Sequence, residues 1–181
     1  MNIIFLGPQG SGKSTQAKML ANALSLPYIE MGQIFRDKAA NEKSQIAQQI
    51  KKALDSGELV SDDIAVETLR QKLAEPAFTS GFILDGYPRN QAQLEGLNKE
   101  IDKVFYINVS DNEAIKRLSL RARVDDTQEL LARRLSIYHE RTEPLLSLFR
   151  QKNILEEIDG ERSIEEIHKD VLEKQDETKS N

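Results

Sequence analysis

The sequence contains no cysteine and only two histidines among its 181 residues. Without cysteine the chain cannot form disulfides, bind zinc through thiolates or use a thiol as a nucleophile. His139 and His168 are too few for a histidine-based metal site without carboxylate ligands. We therefore expect no zinc cofactor, and we interpret His139 as a surface or packing residue.

The chain also lacks any long hydrophobic run. No segment approaches the roughly 18 apolar residues of a membrane span, and the apolar run at residues 2–6 is too short for a signal peptide. A net charge of −5 disfavours broad electrostatic binding to nucleic acid. We expect a cytoplasmic protein with no membrane or nucleic-acid partner, which would hold an anionic ligand with clustered arginines and backbone amides.

The order of the hydrophobic patterns indicates an α/β fold. The length suits one domain with a small insertion. Short apolar runs at residues 3–6, 82–84 and 104–107 are predicted to be strands, residues 154–158 are predicted to be the last strand, and helical periodicity lies between them. This alternation is typical of βαβ units around a parallel sheet. Residues 30–60 show helical periodicity and no strand pattern, so they are predicted to be a helical insertion.

Local signals predict several helix ends. Pro27 should end the first helical pattern, and Ser61 is a candidate N-cap residue. Residues 126–129 (DTQE) and 163–166 (SIEE) have the capping-box pattern of helix starts. Pro144 is expected to kink or break the helix that contains it.

A glycine-rich segment at residues 7–14, GPQGSGKS, fits the pattern G-x-x-x-x-G-K-[ST] between a predicted strand and a predicted helix. Glycine lets backbone amides approach phosphate oxygens without a Cβ in the way, and the helix N-terminus adds unpaired N–H groups. Lys13 can reach the β- and γ-phosphates, and the Ser14 hydroxyl can face Mg²⁺. A glycine-rich turn without a ligand is the simpler alternative, but the strand–loop–helix context favours a nucleoside triphosphate site.

An acidic residue at a strand end supports the same function. Asp85 follows the predicted strand at residues 82–84, where a carboxylate can hold Mg²⁺ or its water ligands. Such an aspartate can also be only a turn former. Beside a phosphate loop the metal role is favoured, so Ser14 and Asp85 are the predicted Mg²⁺ residues.

The downstream region is rich in arginine. Arg117 and Arg121 are four residues apart and share one helix face, where like charges repel unless an anion lies between them. A solvated basic face is the simpler interpretation. Beside a phosphate loop, a clamp on polyphosphate is the better one, because phosphoryl transfer depends on charge neutralisation and positioning. The arginines of this region are Arg117, Arg121, Arg123, Arg133 and Arg134.

Three motifs in this order resemble the adenylate kinase family: the phosphate loop continued as Gly-Lys-x-Thr-Gln, DGYPR at residues 85–89, and RVDD at residues 123–126 followed by Arg134. The resemblance covers nearly the whole chain. It implies a P-loop NTPase-like three-layer fold with a five-stranded parallel sheet, a monophosphate-binding insertion at residues 30–60 and a minimal lid at residues 117–126. It also implies the reaction ATP + AMP = 2 ADP with Mg²⁺, and we expect a monomer.

The same resemblance assigns roles to individual residues. The ATP set, which cradles the phosphates and flanks the base, is Gly10, Ser11, Gly12, Lys13, Ser14, Thr15, Arg117, Arg121 and Arg162. The AMP set, which lines the base pocket or grips the monophosphate, is Met31, Arg36, Glu58, Leu59, Val60, Gly86, Tyr87, Pro88, Arg89, Gln93, Arg123 and Arg134. The residues expected to act on the transferring phosphoryl group are Lys13, Asp85, Arg89, Arg123 and Arg134. Asp125 and Asp126 match the acidic pair that orients the lid arginines.

The chain departs from the family pattern in three ways. Met31 stands where many members have threonine, which removes a polar contact near the monophosphate. Ser14 replaces the usual glycine after the loop lysine and adds a hydroxyl. The lid between Arg121 and Arg123 is shorter even than in short-lid members, which predicts poorer exclusion of water.

Two other functions stay open. Asn90 after Arg89, together with Met31, suggests a pyrimidine (UMP/CMP) monophosphate kinase. Gln93 favours AMP, because its amide offers adenine a donor and an acceptor side by side. A P-loop switch that binds nucleotide without transfer is the remote alternative; the sequence has no Asn-Lys-x-Asp motif for guanine, and the arginines would be superfluous in a switch.

Overall fold

The computed structural model describes residues 1–41, 43–121 and 127–177. Within these residues one parallel sheet has the strand order β2-β3-β1-β4-β5. Its strands are β1 (Asn2–Leu6), β2 (Tyr28–Glu30), β3 (Phe82–Asp85), β4 (Lys103–Asn108) and β5 (Leu155–Asp159). The predicted five-stranded parallel sheet is confirmed.

The central strands are buried on both faces. In β1, Ile4 and Leu6 belong to the core on one face of the sheet, whereas Ile3 and Phe5 belong to the core on the other. Parallel strands covered by helices on both sides are continuously apolar. This is why the hydrophobic pattern revealed them without any alternation.

β2 is the strand that the hydrophobic pattern did not reveal. It has three residues, of which only Ile29 is buried, and it pairs with β3 at the edge of the sheet. Three residues are too few for a readable period of two. β2 ends at Glu30, so the prediction of no strand in residues 30–60 is wrong at its first residue. The described residues between 31 and 60 contain helices and no strand.

Helices cover the two faces of the sheet. On one face, Leu20 and Val171 are among the residues that pack against it; on the other, Leu69 and Phe149 do so. The helices are α1 (Lys13–Leu24), α2 (Met31–Asn41), α3 (Gln45–Ser56), α4 (Asp62–Leu73), α5 (Gln91–Glu95), α6 (Asp111–Arg121), α7 (Gln128–Ile137), α8 (Leu145–Gln151) and α9 (Ile164–Glu177). In the described part of the chain, none of them has the length and apolar character to cross a membrane.

Several predicted helix ends are confirmed. α1 ends at Leu24, before Pro27. Ser61 is the N-cap residue of α4, although its side chain accepts no capping hydrogen bond. The capping box before α9 is complete: the N–H of Ser163 donates to Oε2 of Glu166 at 3.0 Å, and the N–H of Glu166 donates to Oγ of Ser163 at 3.3 Å.

The start of α7 differs from the prediction by one residue. Thr127, not Asp126, is its N-cap residue, and the Thr127 hydroxyl accepts from the N–H of Leu130. The break at Pro144 is confirmed, because α7 continues into a π-helical turn at Tyr138–Thr142 and α8 begins only at Leu145.

Candidate active site

The carboxyl ends of β1 and β3 open into a cavity of about 530 Å³, which is where open parallel sheets bind ligands. Its wall is formed by the phosphate loop, the α2–α4 region, the segment after β3, and α6 and α7. The predicted site residues among its lining are Gly10, Gly12, Lys13, Ser14, Thr15, Arg36, Glu58, Leu59, Val60, Asp85, Gly86, Tyr87, Arg89, Gln93, Arg117 and Arg134. Residues from distant parts of the sequence thus meet around one space.

Other predicted site residues lie elsewhere. Met31 is fully buried in the core, and Ser11 is buried within the phosphate loop. Pro88 is buried as well. Arg162 is partly exposed and pairs with Asp170 on α9, away from the cavity lining. The remaining residues, Arg123, Asp125, Asp126 and the side chain of Arg121, lie outside the described part of the chain.

The phosphate loop has the backbone conformation that its glycines permit. Gly10 and Gly12 have φ angles of 85° and 87°, and Gly12 is the N-cap residue of α1. A Cβ on Gly10 would lie 2.5 Å from the carbonyl oxygen of Ala114, so a larger residue would clash with backbone. Lys13 is only 8% exposed, and its Nζ donates to the carbonyl oxygen of Pro8 at 3.1 Å. A phosphate in the loop would offer this ammonium a charged acceptor.

Asp85 lies at the end of β3 beside the phosphate loop and is buried. Its Oδ2 accepts hydrogen bonds from the hydroxyl of Ser14 and, at 3.0 Å, from that of Tyr28. Its Oδ1 is also buried and has no hydrogen-bond partner among the described residues. A buried acceptor without a partner is costly, and a hard cation would supply the missing partner. Ser14 and Asp85 therefore fit a Mg²⁺ ion.

Tyr28 is a site residue that sequence reasoning missed. Its hydroxyl lies 3.0 Å from Oδ2 of Asp85 and 3.3 Å from Oε2 of Glu30, and its single proton can serve only one of them at a time. Burial raises the pKa of Tyr28 far above its usual value, and the charges of Asp85 and Glu30 raise it further. The only signal in the sequence was the i, i+2 spacing of Tyr28 and Glu30 on one face of a strand too short to detect.

Glu30 links Tyr28 to Arg36, one of the residues predicted to bind the monophosphate. Its carboxylate pairs with Nζ of Lys18 and with Nη2 of Arg36, each at 3.0 Å. Burial alone would raise the pKa of Glu30, but the hydrogen bond and charge of Lys18 and the charge of Arg36 bring it below the usual value. The Glu30 carboxylate therefore holds the guanidinium of Arg36 in place.

Two further arginines face the same space. Nε of Arg89 donates to the carbonyl oxygen of Gly86 at 2.8 Å, and Nη2 of Arg134 donates to that of Leu54 at 3.4 Å. Burial lowers the pKa of Arg89; Asp85 opposes this shift and Arg134 adds to it. Guanidinium groups close enough to affect each other favour a multiply charged anion between them.

Two side-chain amides, those of Gln93 and Asn90, lie where the family resemblance predicts the base of the monophosphate, a region that we call the base end of the cavity. Gln93 is 2% exposed. Its Oε1 accepts from the N–H of Arg89 at 2.8 Å, and its Nε2 donates to Oδ1 of Asp62 at 2.9 Å. Oδ1 of Asn90 accepts from the N–H of Gln93 at 2.9 Å, which caps α5, and Nδ2 of Asn90 donates to the same Asp62 oxygen at 2.8 Å. Asp62 was also missed, because in the sequence it is only an acidic residue in a helix's first turn.

These features define the class of the protein. A parallel sheet, a glycine-rich loop between β1 and α1, and a buried aspartate at the end of β3 are the parts of a P-loop nucleotide-binding fold. Arginines that line the same cavity carry positive charge of the kind on which phosphoryl transfer depends.

Comparisons with known proteins agree with this assignment to the P-loop nucleotide-binding fold. A family model described as adenylate kinase matches residues 5–154. An adenylate kinase of Thermobifida fusca is 38% identical over 178 residues, which cover 92% of this chain and 94% of that protein. One from Prochlorococcus marinus (strain MIT 9301) is 37% identical, covering 96% and 97%, and one from Archaeoglobus fulgidus is 33% identical, covering 94% and 96%.

The chain therefore belongs to the adenylate kinase family. It is a phosphotransferase, a nucleoside monophosphate kinase with the P-loop fold.

Proposed function

We propose that the enzyme transfers the γ-phosphoryl group of ATP reversibly to AMP and produces two molecules of ADP, with Mg²⁺ as cofactor. The observation that carries this proposal is the arrangement of the cavity. The phosphate loop, Asp85, Arg36, Arg89 and Arg134 line one cavity. Asp85 accepts a hydrogen bond from Ser14 of the loop and lies close enough to Arg89 to affect its pKa. Two phosphate-bearing ligands placed end to end would bring the reacting atoms together there.

The triphosphate would be held by the loop amides, by the N-terminus of α1 and by Lys13. Ser14 and Asp85 would hold Mg²⁺, which when bound neutralises charge on the β- and γ-phosphates. The orphaned Oδ1 of Asp85 supports this assignment. Arg117, whose Nη1 lies 3.5 Å from the carbonyl oxygen of Ser11, would flank the same nucleotide.

Transfer breaks the bond between the γ-phosphorus and the oxygen that stays with ADP, and forms a bond to an oxygen of the monophosphate. That oxygen is already deprotonated at neutral pH, so no general base is required. Arg89, Arg134 and, by resemblance, Arg123 would stabilise the charge on the transferring group and align the acceptor with it.

AMP is the proposed acceptor because of the hydrogen bonds that the side-chain amides of Asn90 and Gln93 make. Both polar atoms of the Asn90 side chain are engaged inside the protein, one on α5 and one on Asp62. Asn90 is not among the described residues that line the cavity, whereas Gln93 is, so reading a pyrimidine base with Asn90 would require its amide to leave these partners and turn into the cavity. Gln93 lines the cavity and keeps one further N–H and one further lone pair for a base.

Substrate profiling tests this proposal. With ATP as donor and a coupled assay for ADP, AMP is expected to give a kcat/KM at least about ten-fold above that of UMP or CMP. If UMP or CMP is the faster acceptor, the adenylate assignment is wrong, although the family assignment stands. Absence of transfer to any monophosphate would support the switch alternative.

The remaining expectations are part of the same proposal. We assign residues 30–60 as the monophosphate-binding insertion and residues 117–126 as the lid, of which residues 122–126 lie outside the described part of the chain. We also propose a cytoplasmic monomer that needs no zinc. Light scattering after size-exclusion chromatography should give a mass near 20.5 kDa, and a dimer mass would contradict this expectation.

A further inference from the structure

Asp62 lies in the first turn of α4 and holds two side-chain amides at the base end of the cavity. Its Oδ1 accepts from Nδ2 of Asn90 at 2.8 Å and from Nε2 of Gln93 at 2.9 Å. On the other side of Gln93, Oε1 accepts from the backbone N–H of Arg89 at 2.8 Å. The Gln93 amide is therefore held between one obligatory donor and one acceptor.

This arrangement permits only one orientation of the Gln93 amide. A backbone N–H can only donate, and a carboxylate can only accept. A flipped amide would place two donors together at Arg89 and two acceptors together at Asp62. Since Gln93 is 2% exposed, water cannot readily replace the lost partners.

The fixed orientation also fixes the order of donor and acceptor that Gln93 presents to a base. One N–H of Nε2 and one lone pair of Oε1 remain for a ligand. A 6-aminopurine presents an amino donor beside a ring-nitrogen acceptor, whereas a 6-oxopurine presents a carbonyl acceptor beside a ring N–H donor. The two edges are reversed, so a base held in one pose can match only one order.

We propose that Asp62 is a specificity-determining residue, which positions the Gln93 amide so that the site accepts a 6-aminopurine monophosphate and rejects a 6-oxopurine monophosphate. This inference rests on the proposed function and deepens it. Asp62 acts through Gln93 and is a positioning residue. Asn90 adds to the effect, because it shares the Asp62 oxygen and caps the helix that carries Gln93.

The test compares AMP with IMP in four proteins: the parent, Asp62→Ala, Asp62→Asn and Asp63→Ala. Asp63 is the matched control, because it carries the same charge in the same helical turn, is exposed and takes no part in this hydrogen-bond set. Binding of each monophosphate is measured by calorimetry, and kcat and KM are measured with saturating ATP. Thermal melting reports whether each variant is folded.

For Asp62→Ala we expect the KM and Kd for AMP to rise about ten- to thirty-fold, with less than about a three-fold change for IMP. The ratio of kcat/KM for AMP to that for IMP should fall about ten-fold. Asp62→Asn should give a smaller fall, about three-fold, because its amide can accept from Gln93 or donate to it. Asp63→Ala should leave the ratio unchanged.

Equal losses for AMP and IMP in both Asp62 variants would overturn the inference, because they would show only a structural role. If Asp62→Ala does not fold, the isosteric Asp62→Asn decides, and an unchanged ratio there overturns the inference. Failure of the proposed function would look different: the parent itself would not use AMP.

Discussion

The proposed triphosphate end and the proposed monophosphate end of the cavity are built in different ways. At the triphosphate end, one continuous segment at residues 7–15 supplies a glycine-rich loop and the first turn of α1. At the monophosphate end, Arg36 comes from α2, Arg89 from the segment after β3 and Arg134 from α7. The first end depends on backbone conformation, and the second on side chains that only the fold brings together.

The ends also differ in how their polar groups are supported. Arg36 is paired with Glu30, and Gln93 is fixed by Asp62 and by the backbone of Arg89. Asp85, next to the phosphate loop, keeps a buried oxygen without a partner among the described residues. Substitutions in the phosphate loop should therefore remove turnover, whereas substitutions of the amides that face the monophosphate base should change affinity and selectivity.

The largest expected effect tests the triphosphate end. Lys13→Ala should lower kcat about 10²–10³-fold, because it removes a positive charge from the transferring phosphoryl group. Steady-state assays with circular dichroism as a folding check would measure this effect. Lys116→Ala, which removes an exposed lysine of α6, is the control and should retain full activity. A Lys13→Ala variant with more than half the parent's activity would place the chemistry outside the loop.

The second prediction tests whether the monophosphate end controls affinity. Gln93→Ala should raise the KM for AMP about five- to a hundred-fold, because base groups without partners cost roughly 1–3 kcal/mol. The KM for ATP should change less. Arg89→Ala is the contrasting variant and should also lower kcat, because it places the reacting phosphate. Unchanged AMP kinetics in Gln93→Ala, with UMP or CMP as the better acceptor in the parent, would refute the adenylate assignment.

Tyr28 lies where the two ends meet, since it contacts both Asp85 and Glu30. Tyr28→Phe removes a hydrogen bond that orients the predicted metal carboxylate, so the Mg²⁺ concentration for half-maximal activity should rise about three- to ten-fold. Tyr106→Phe is the matched control, because its hydroxyl bonds Asn108 instead. Titration with Mn²⁺, followed by its paramagnetic resonance signal, gives a readout independent of turnover. Equal metal affinity in both variants would contradict the prediction, because it would show that Tyr28 does not orient Asp85 for the metal ion.

The smallest expected effect lies outside the cavity lining. His139 is 42% exposed and lies 2.8 Å from Glu143 and 2.9 Å from Asp111. The Glu143 hydrogen bond and the contact with Asp111 raise its pKa, despite partial burial. Protonated His139 therefore stabilises the folded state. This stabilisation is fully present below about pH 6.5 and is lost as the pH rises through the folded-state pKa of His139.

Denaturant unfolding of the parent and of His139→Gln at pH 5.5 and pH 8.5 checks this prediction. Between pH 5.5 and pH 8.5 the free energy of unfolding should fall by up to about 0.5 kcal/mol more in the parent than in the variant. The difference is small because exposed ion pairs contribute little to stability. His168→Gln is a control of opposite sign, because burial lowers the pKa of His168 and its stabilisation of the folded state is lost as the pH falls. A change in kcat in His139→Gln at constant pH would contradict its placement outside the active site.

Several features could be predicted from the sequence because their causes are local. Buried parallel strands are continuously apolar, so β1, β3 and β4 were visible, whereas β5 at the sheet edge has only Ile158 buried. The phosphate loop requires glycine and lysine at fixed spacing within one turn, and Asp85 follows a readable strand. The Ser163 capping box was visible for the same reason, since both partners lie within four residues. Where two adjacent residues can both cap, as at Asp126 and Thr127, the local signal did not decide between them.

Tertiary structure alone decided the rest. Tyr28 and Asp85 are 57 residues apart and meet because β2 pairs with β3. Asp62 and Gln93 are 31 residues apart and meet because the start of α4 faces the turn before α5. The physical reason is that hydrogen bonds and ion pairs act over a few ångströms, whereas sequence patterns record only burial and local backbone preference. The phosphate loop was thus determined by its own residues, and the partners that orient the Gln93 amide were determined by the fold.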